Sequence, residues 1–129
     1  MKKSIDFDFI KELWAQAEKS SRLRMNYDMR NSSADTSQRM LNALLPGTQV
    51  PIHRHERTEE SVICLYGKLE EIFYEQCDTC DGGFTEIGRY TLCPNEGKFG
   101  LQVPIGMWHS INVIEPSIIF EAKDGAYIS

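Results

Sequence analysis

A chain of 129 residues is long enough for one domain with a single hydrophobic core. Its 41% hydrophobic and 26% charged residues are ordinary for a globular protein. The formal charge of −5, from 14 basic and 19 acidic residues, argues against nucleic acid or an anionic membrane as the main partner, since both need clustered Lys and Arg. A local basic pocket for an anionic small molecule stays open.

The opening stretch MKKSIDFDFIKELWAQAEKSS carries two lysines, but no long apolar run follows them. Asp6, Asp8, Lys11 and Glu12 interrupt it, so it reads as neither a signal peptide nor a membrane span, and the expected location is the cytoplasm. Asp6 can cap a helix over residues 6–19, with Phe7, Ile10, Leu13, Trp14 and Ala17 on one face. Residues 20–36 are polar and lack either period, which predicts a loop with at most one short strand. The expected organisation is a helical segment over 1–21 and one domain over 22–129.

From residue 37 the chain changes character. SQRMLNALLPG, SVICLYGKLEEIFYE, EIGRYTLCP, GKFGLQVP, HSINVIE and SIIFEAKDGAYI are short apolar stretches punctuated by Gly or Pro, among them Gly67, Gly106 and Pro116. Short strands with turn residues between them predict an all-β sandwich or barrel. Gly67, inside an otherwise continuous strand pattern, suggests a tight turn between two antiparallel strands.

Four cysteines occur, at 64, 77, 80 and 93. Cys77 and Cys80 form a C-x-x-C with no second pair to complete a zinc site. In a reducing compartment a disulfide would be the exception, and CDTCDGGF reads as a Gly-rich turn whose two cysteines hold no stable metal, with a redox pair as the alternative.

All three histidines stand where a turn meets a strand-like segment. His53 and His55, two apart, would project from one face with Arg54 opposite. Two imidazoles so placed can converge on one ion, and Glu60 follows closely enough to return a carboxylate over them. The competing reading is an exposed charged turn. His109 adds a third imidazole after a Pro-Ile-Gly-Met turn.

The stretch from Gly47 through His53, His55 and Glu60 to Gly67 resembles the first cupin motif: Gly, five residues, His-x-His, three or four residues, Glu, six residues, Gly. Pro104-Ile-Gly106-Met-Trp-His109 resembles the core of the second, Pro-x-Gly-x-x-His. The second motif's leading Gly would fall at Lys98, flanked by Gly97 and Gly100. Its closing Asn stands one residue early, as Asn112, on the face opposite His109, so no role is carried over to it. SQRMLNALLPGTQVPIHRH and EESVICLYGKLEEIFYE further resemble the small WbuC-type cupins associated with bacterial surface-polysaccharide gene clusters. The resemblance implies a double-stranded β-helix, the cupin jelly-roll barrel, with a short N-terminal helix. It also implies one divalent metal ion per chain (Zn, Fe, Ni or Mn) held by His53, His55, Glu60 and His109.

Three imidazoles and one carboxylate leave coordination positions open, as catalytic rather than structural sites do. The expected partner is a small-molecule ligand or substrate. The function the resemblance suggests is an isomerase, epimerase or lyase acting on a sugar or sugar derivative. A non-catalytic metal-dependent binding module and an iron-dependent dioxygenase are the alternatives, and no general base is evident beyond the ligands. If Glu60 points inward, strand phase puts Val62, Cys64 and Tyr66 inside and Ile63 and Leu65 outside. The apolar outer face then wants a cover, which predicts a homodimer. Cys64 reads as a small core residue, with ligation as its alternative. Arg22, Arg24, Arg30, Arg39 and Gln49 could hold a phosphate or carboxylate, or be solvated edge residues and salt-bridge partners.

Overall fold

The computed structural model describes residues 4–126. Helix α1 (Phe7–Lys19) is followed by β1 (Arg24–Asp28), β2 (Ser37–Leu44), β3 (Glu60–Gln76), β4 (Phe84–Leu92), β5 (Gly100–Val103) and β6 (Trp108–Asp124). The strands form one antiparallel sheet in the order β1-β2-β6-β3-β4, with β5 on the free side of the first part of β3. No helix among the described residues is long and apolar enough to cross a membrane.

Asp6 caps α1 by accepting the Phe9 amide at 2.9 Å, and Lys19 sits in the last turn where the helix dipole favours a cation. The buried face is Phe9, Ile10, Leu13 and Ala17, packed with Leu41, Ala43 and Ile118 from the outer face of β2 and β6. Phe7, expected on that face, is half exposed and lies against Trp14 and Tyr66, while Phe9 takes the buried place. Trp14 is anchored by its indole N–H, which donates to the Ser117 carbonyl at 3.0 Å. A second core fills the inside of the sheet, with Leu44, Val62, Cys64, Leu69, Leu92, Val103, Val113 and Ile119.

Gly67 is not a turn. β3 runs unbroken through it, at φ 96°, with register shifts against β6 on both sides. HSINVIE and SIIFEAK likewise form one strand, β6, that passes through Pro116. Proline is tolerated within a sheet at a bulge, because no ladder donor is required there. A Cβ at Gly67 would lie 2.2 Å from the Pro116 carbonyl oxygen, so the two irregularities fit each other. Ser117 Oγ accepts the Lys68 amide at 3.1 Å and donates to the Glu115 carbonyl at 2.7 Å, replacing ladder bonds that the bulge removes.

The bulge also resets strand phase. Glu60, Val62 and Cys64 are buried as expected, and Ile63 and Leu65 are exposed, but Tyr66 is turned out and packs on α1 rather than inside. Cys77 and Cys80, for which a disulfide would have been the exception, form one in the β3–β4 connection. A turn closed by the Cys80 amide on the Cys77 carbonyl brings their Cα atoms to 5.4 Å, within bridging range.

Candidate metal centre

The two histidine segments are joined through the backbone before any side chain is considered. His53 and His109 form an isolated antiparallel bridge, each amide donating to the other's carbonyl at 3.0 and 2.8 Å. The turn before His109 is closed by Met107 N–H on the Pro104 carbonyl, and Gly106, at φ 76°, donates to the His55 carbonyl at 2.8 Å. A residue with a side chain would be strained at that φ, which explains the glycine. These bonds fix three imidazoles together, with ring centroids 4.2 Å apart for His53–His109, 5.2 Å for His53–His55 and 5.4 Å for His55–His109.

One potential ligand atom from each histidine lies within 4.8 Å of the others. Nδ1 of His53 is 2.9 Å from the Pro51 carbonyl, and Nδ1 of His109 is 2.9 Å from the Met107 carbonyl. A carbonyl only accepts, so both Nδ1 atoms carry the proton and both Nε2 atoms present a lone pair. This is the arrangement by which outer partners orient metal-bound histidines. Nε2 of His109 is buried without a hydrogen-bond partner, a costly state for a polar atom that an ion would relieve, and Nε2 of His55 meets the Glu60 carboxylate, itself a candidate ligand. The residues therefore fit a divalent cation.

Glu60 adjoins the cluster. It is 3% exposed, whereas Glu59 is exposed, and its Oε2 stands 3.1 Å from His55 Nε2 and 3.7 Å from Lys123 Nζ. Burial alone would raise the Glu60 pKa, but His55, a hydrogen bond with Glu121 and the Lys123 charge hold it well below the usual range. Glu121 moves the other way, raised first by burial and then by the Glu60 charge beside it. Glu121 also accepts a hydrogen bond from the Asn42 amide. Burial lowers the pKa of His53 and brings that of His109 to about 4, so both imidazoles are neutral at pH 7, the form that binds a metal.

Sequence reasoning found no base beyond the ligands, and the fold supplies two further carboxyls. Glu71, from the middle of β3, and Glu121, from β6, line one cavity of about 380 Å³ with His53, Glu60 and His109. Glu71 is 2% exposed, and its Oε2 has no hydrogen-bond partner. Burial, then the charges of Glu121 and Glu60, raise its pKa well above normal. The alternating pattern in β3 was the available signal: Glu60, Val62 and Cys64 face inward, and after the bulge so do Leu69, Glu71 and Phe73. A wider hollow of about 820 Å³ opens on the other side of His53 and His55, where Arg54 stacks on the Trp108 ring at 4.5 Å.

Other residues singled out earlier lie elsewhere. Cys64 belongs to the inner apolar core, its thiol near the Tyr66 carbonyl and its pKa pushed up by burial to about 11. Asn112 is exposed and donates to Glu70, away from the histidines. Arg39 pairs with Asp35 and Arg30 with Asp28.

Residues 5–82 match the profile of a family described as a domain of unknown function, DUF6016. The chain belongs to the DUF6016 family. No curated protein sequence matches it. Among solved structures, this DUF6016 chain is similar to KdgF from Halomonas sp., with 14% identity over 81% of this chain and 82% of that one and a TM-score of 0.60. It is also similar to a cupin 2 domain-containing protein from Halorhodospira halophila, with 15% identity over 78% and 63% of the two chains and a TM-score of 0.59. A recombinant oxalate oxidase in complex with glycolate gives a TM-score of 0.62 at 14% identity, over 85% of this chain and 55% of that one. At these identities the likeness is one of fold: the DUF6016 chain has the cupin β-barrel, preceded by a short helix.

Proposed function

We propose that the protein holds one divalent cation on His53, His55, His109 and Glu60 and uses it as an enzyme on a small hydroxylated molecule, a sugar or sugar derivative. The observation that carries this reading is the convergence of three imidazoles whose outer hydrogen bonds leave Nε2 of His53 and His109 free. When bound, zinc, iron, nickel or manganese at such a site would polarise a carbonyl or hydroxyl group. The chain's own residues would do the rest. His53 and His109 stay neutral and orient the site through their Nδ1 bonds. Glu71, with a free oxygen facing the cavity, takes a proton from the carbon beside the substrate carbonyl. The C–H electron pair forms a carbon–carbon double bond as the carbonyl π pair moves onto its oxygen, which takes up a proton. In an isomerase the hydroxyl on the deprotonated carbon then loses its proton to become the new carbonyl, and the abstracted proton returns to the former carbonyl carbon. In an epimerase the proton returns to the opposite face of the same carbon and the oxygen releases the proton it took up, with no net oxidation in either case.

The cavity wall favours a polar ligand, because Asn26, Asn42 and the three carboxyls line it. The likeness to WbuC-type cupins makes surface-polysaccharide metabolism in the cytoplasm the setting we propose. A homodimer that covers the exposed Ile63 and Leu65 belongs to the same proposal. The test is incorporation of solvent deuterium into candidate aldoses and ketoses by metal-loaded protein. Exchange that disappears in Glu71→Gln, with metal retained, is expected. Oxygen-dependent turnover of an iron-loaded form would replace this reading with a dioxygenase, and tight ligand binding without exchange would replace it with a binding module.

A further inference from the structure

Two arginines on the same cavity have no role in holding a cation. Arg22 and Arg24 line the 380 Å³ space together with His53, Glu71 and His109. Arg24 spends one guanidinium N–H on the Gln49 carbonyl, at 2.8 Å, and Arg22 lies close enough for its charge to oppose that of Arg24. Neither is within ion-pair distance of a carboxylate among the described residues, whereas Arg30, Arg39, Arg54 and Arg89 each are; Arg57, which also lacks an ion pair, lines the wider hollow instead.

The backbone between the two arginines is itself unusual. Leu23 has φ 57°, and it is the only described non-glycine residue with positive φ. A branched aliphatic side chain gains nothing from that conformation, which costs about 1–2 kcal/mol. The surroundings impose it. The Leu23 amide donates to the Ser20 carbonyl, its own carbonyl accepts from Leu45, and Thr48 Oγ1 donates to the Arg22 carbonyl at 2.6 Å. The Gly47 turn packs against the Leu23 side chain, and a Cβ at Gly47 would sit 3.2 Å from Leu23 Cδ1. The fold thus holds a strained residue in place, with a like-charged, unpaired arginine on each side of it.

From this juxtaposition we infer that Arg22 and Arg24 form an anion-recognition subsite, and that the molecule bound beside the histidines is a hydroxylated compound bearing a carboxylate or a phosphate. The inference rests on the reading of the cavity as a small-molecule site and narrows its substrate class. Guanidinium groups bind either anion through paired N–H donors, and both anions have the same use for a cation pair.

The test uses full-length protein, metal-loaded, in calorimetric titrations with D-gluconate, D-glucose 6-phosphate and neutral D-glucose as probes. At least one anionic probe is expected to bind about tenfold or more tightly than D-glucose, as for hydrogen bonds to a charged group. Whichever of the two binds tighter identifies the anion. Arg22→Gln should lose that preference about tenfold, and the double change with Arg24→Gln should abolish it, with metal content and the circular dichroism spectrum unchanged. Arg22 is exposed and its side chain holds no other element in place, so its replacement leaves the fold intact. Equal binding of the three probes, no binding of any, or an unaltered preference in Arg22→Gln would overturn the inference. Metal content measured on the same samples separates this outcome from failure of the metal reading, in which the histidines bind no ion whichever probe is preferred.

Discussion

Replacing Gly67 with alanine isolates the bulge that sets the inward phase of β3. Two costs add. The φ of 96° lies in the region that favours glycine, which penalises an L side chain by about 1–2 kcal/mol. The new methyl would also stand 2.2 Å from the Pro116 carbonyl oxygen and 2.7 Å from the Ser117 Cα, both backbone atoms that move only if the two longest strands separate. Overpacking of this kind costs about 1–3 kcal/mol, so the sum is about 3 kcal/mol. Gly97, at φ 77° with no atom near its missing Cβ, provides the control: Gly97→Ala should cost about 1 kcal/mol. Urea denaturation of both variants, followed by tryptophan fluorescence, measures the difference. If Gly67→Ala proved as mild as Gly97→Ala, the close fit of the Gly67 and Pro116 irregularities would be refuted.

Leu13→Ala should destabilise the fold by about 2–5 kcal/mol, since Leu13 is 1% exposed between α1 and the sheet; denaturant titration would check this. Trp14→Phe keeps the ring contacts but loses the bond to the Ser117 carbonyl, for a loss of about 1 kcal/mol in the same assay. Glu71→Gln should change the pH dependence of stability in metal-free protein. Burial raises the folded pKa of Glu71 above 4.5, so its contribution is fully present below that pH and is lost as pH rises through the folded value. The variant should therefore gain on the parent protein as pH increases above 4.5, and parallel urea midpoints across that range would contradict the assignment.

Much of the fold was legible because its signals are local. The Asp6 cap and the apolar period announced α1, and Gly- and Pro-punctuated stretches announced the strands. The ligand candidates were legible because both motifs are contiguous and each ends on a histidine at a strand junction. What escaped depended on pairing across the sheet. Gly67 looked like a turn because its partner irregularity, Pro116, lies far away in sequence, and the resulting phase change put Tyr66 outside. Glu71 and Glu121 belong to no motif in the sequence, and only the pairing of β3 with β6 turns both into one cavity. Cys77 and Cys80 were read from the usual redox state of a compartment, whereas a tight turn brought them into bonding range. Arg22 and Arg24 could not be told from Arg30 and Arg39 in sequence, because the difference lies in which of them meet an aspartate.

The central claim is that the three imidazoles exist to hold a cation. Elemental analysis of protein purified without a histidine tag, beside His109→Ala, tests it most directly. The account predicts close to one divalent ion per chain, lost in the variant while the circular dichroism spectrum persists. An ion content unchanged by His109→Ala, or no ion bound even after reconstitution with zinc, iron, nickel and manganese, would contradict it.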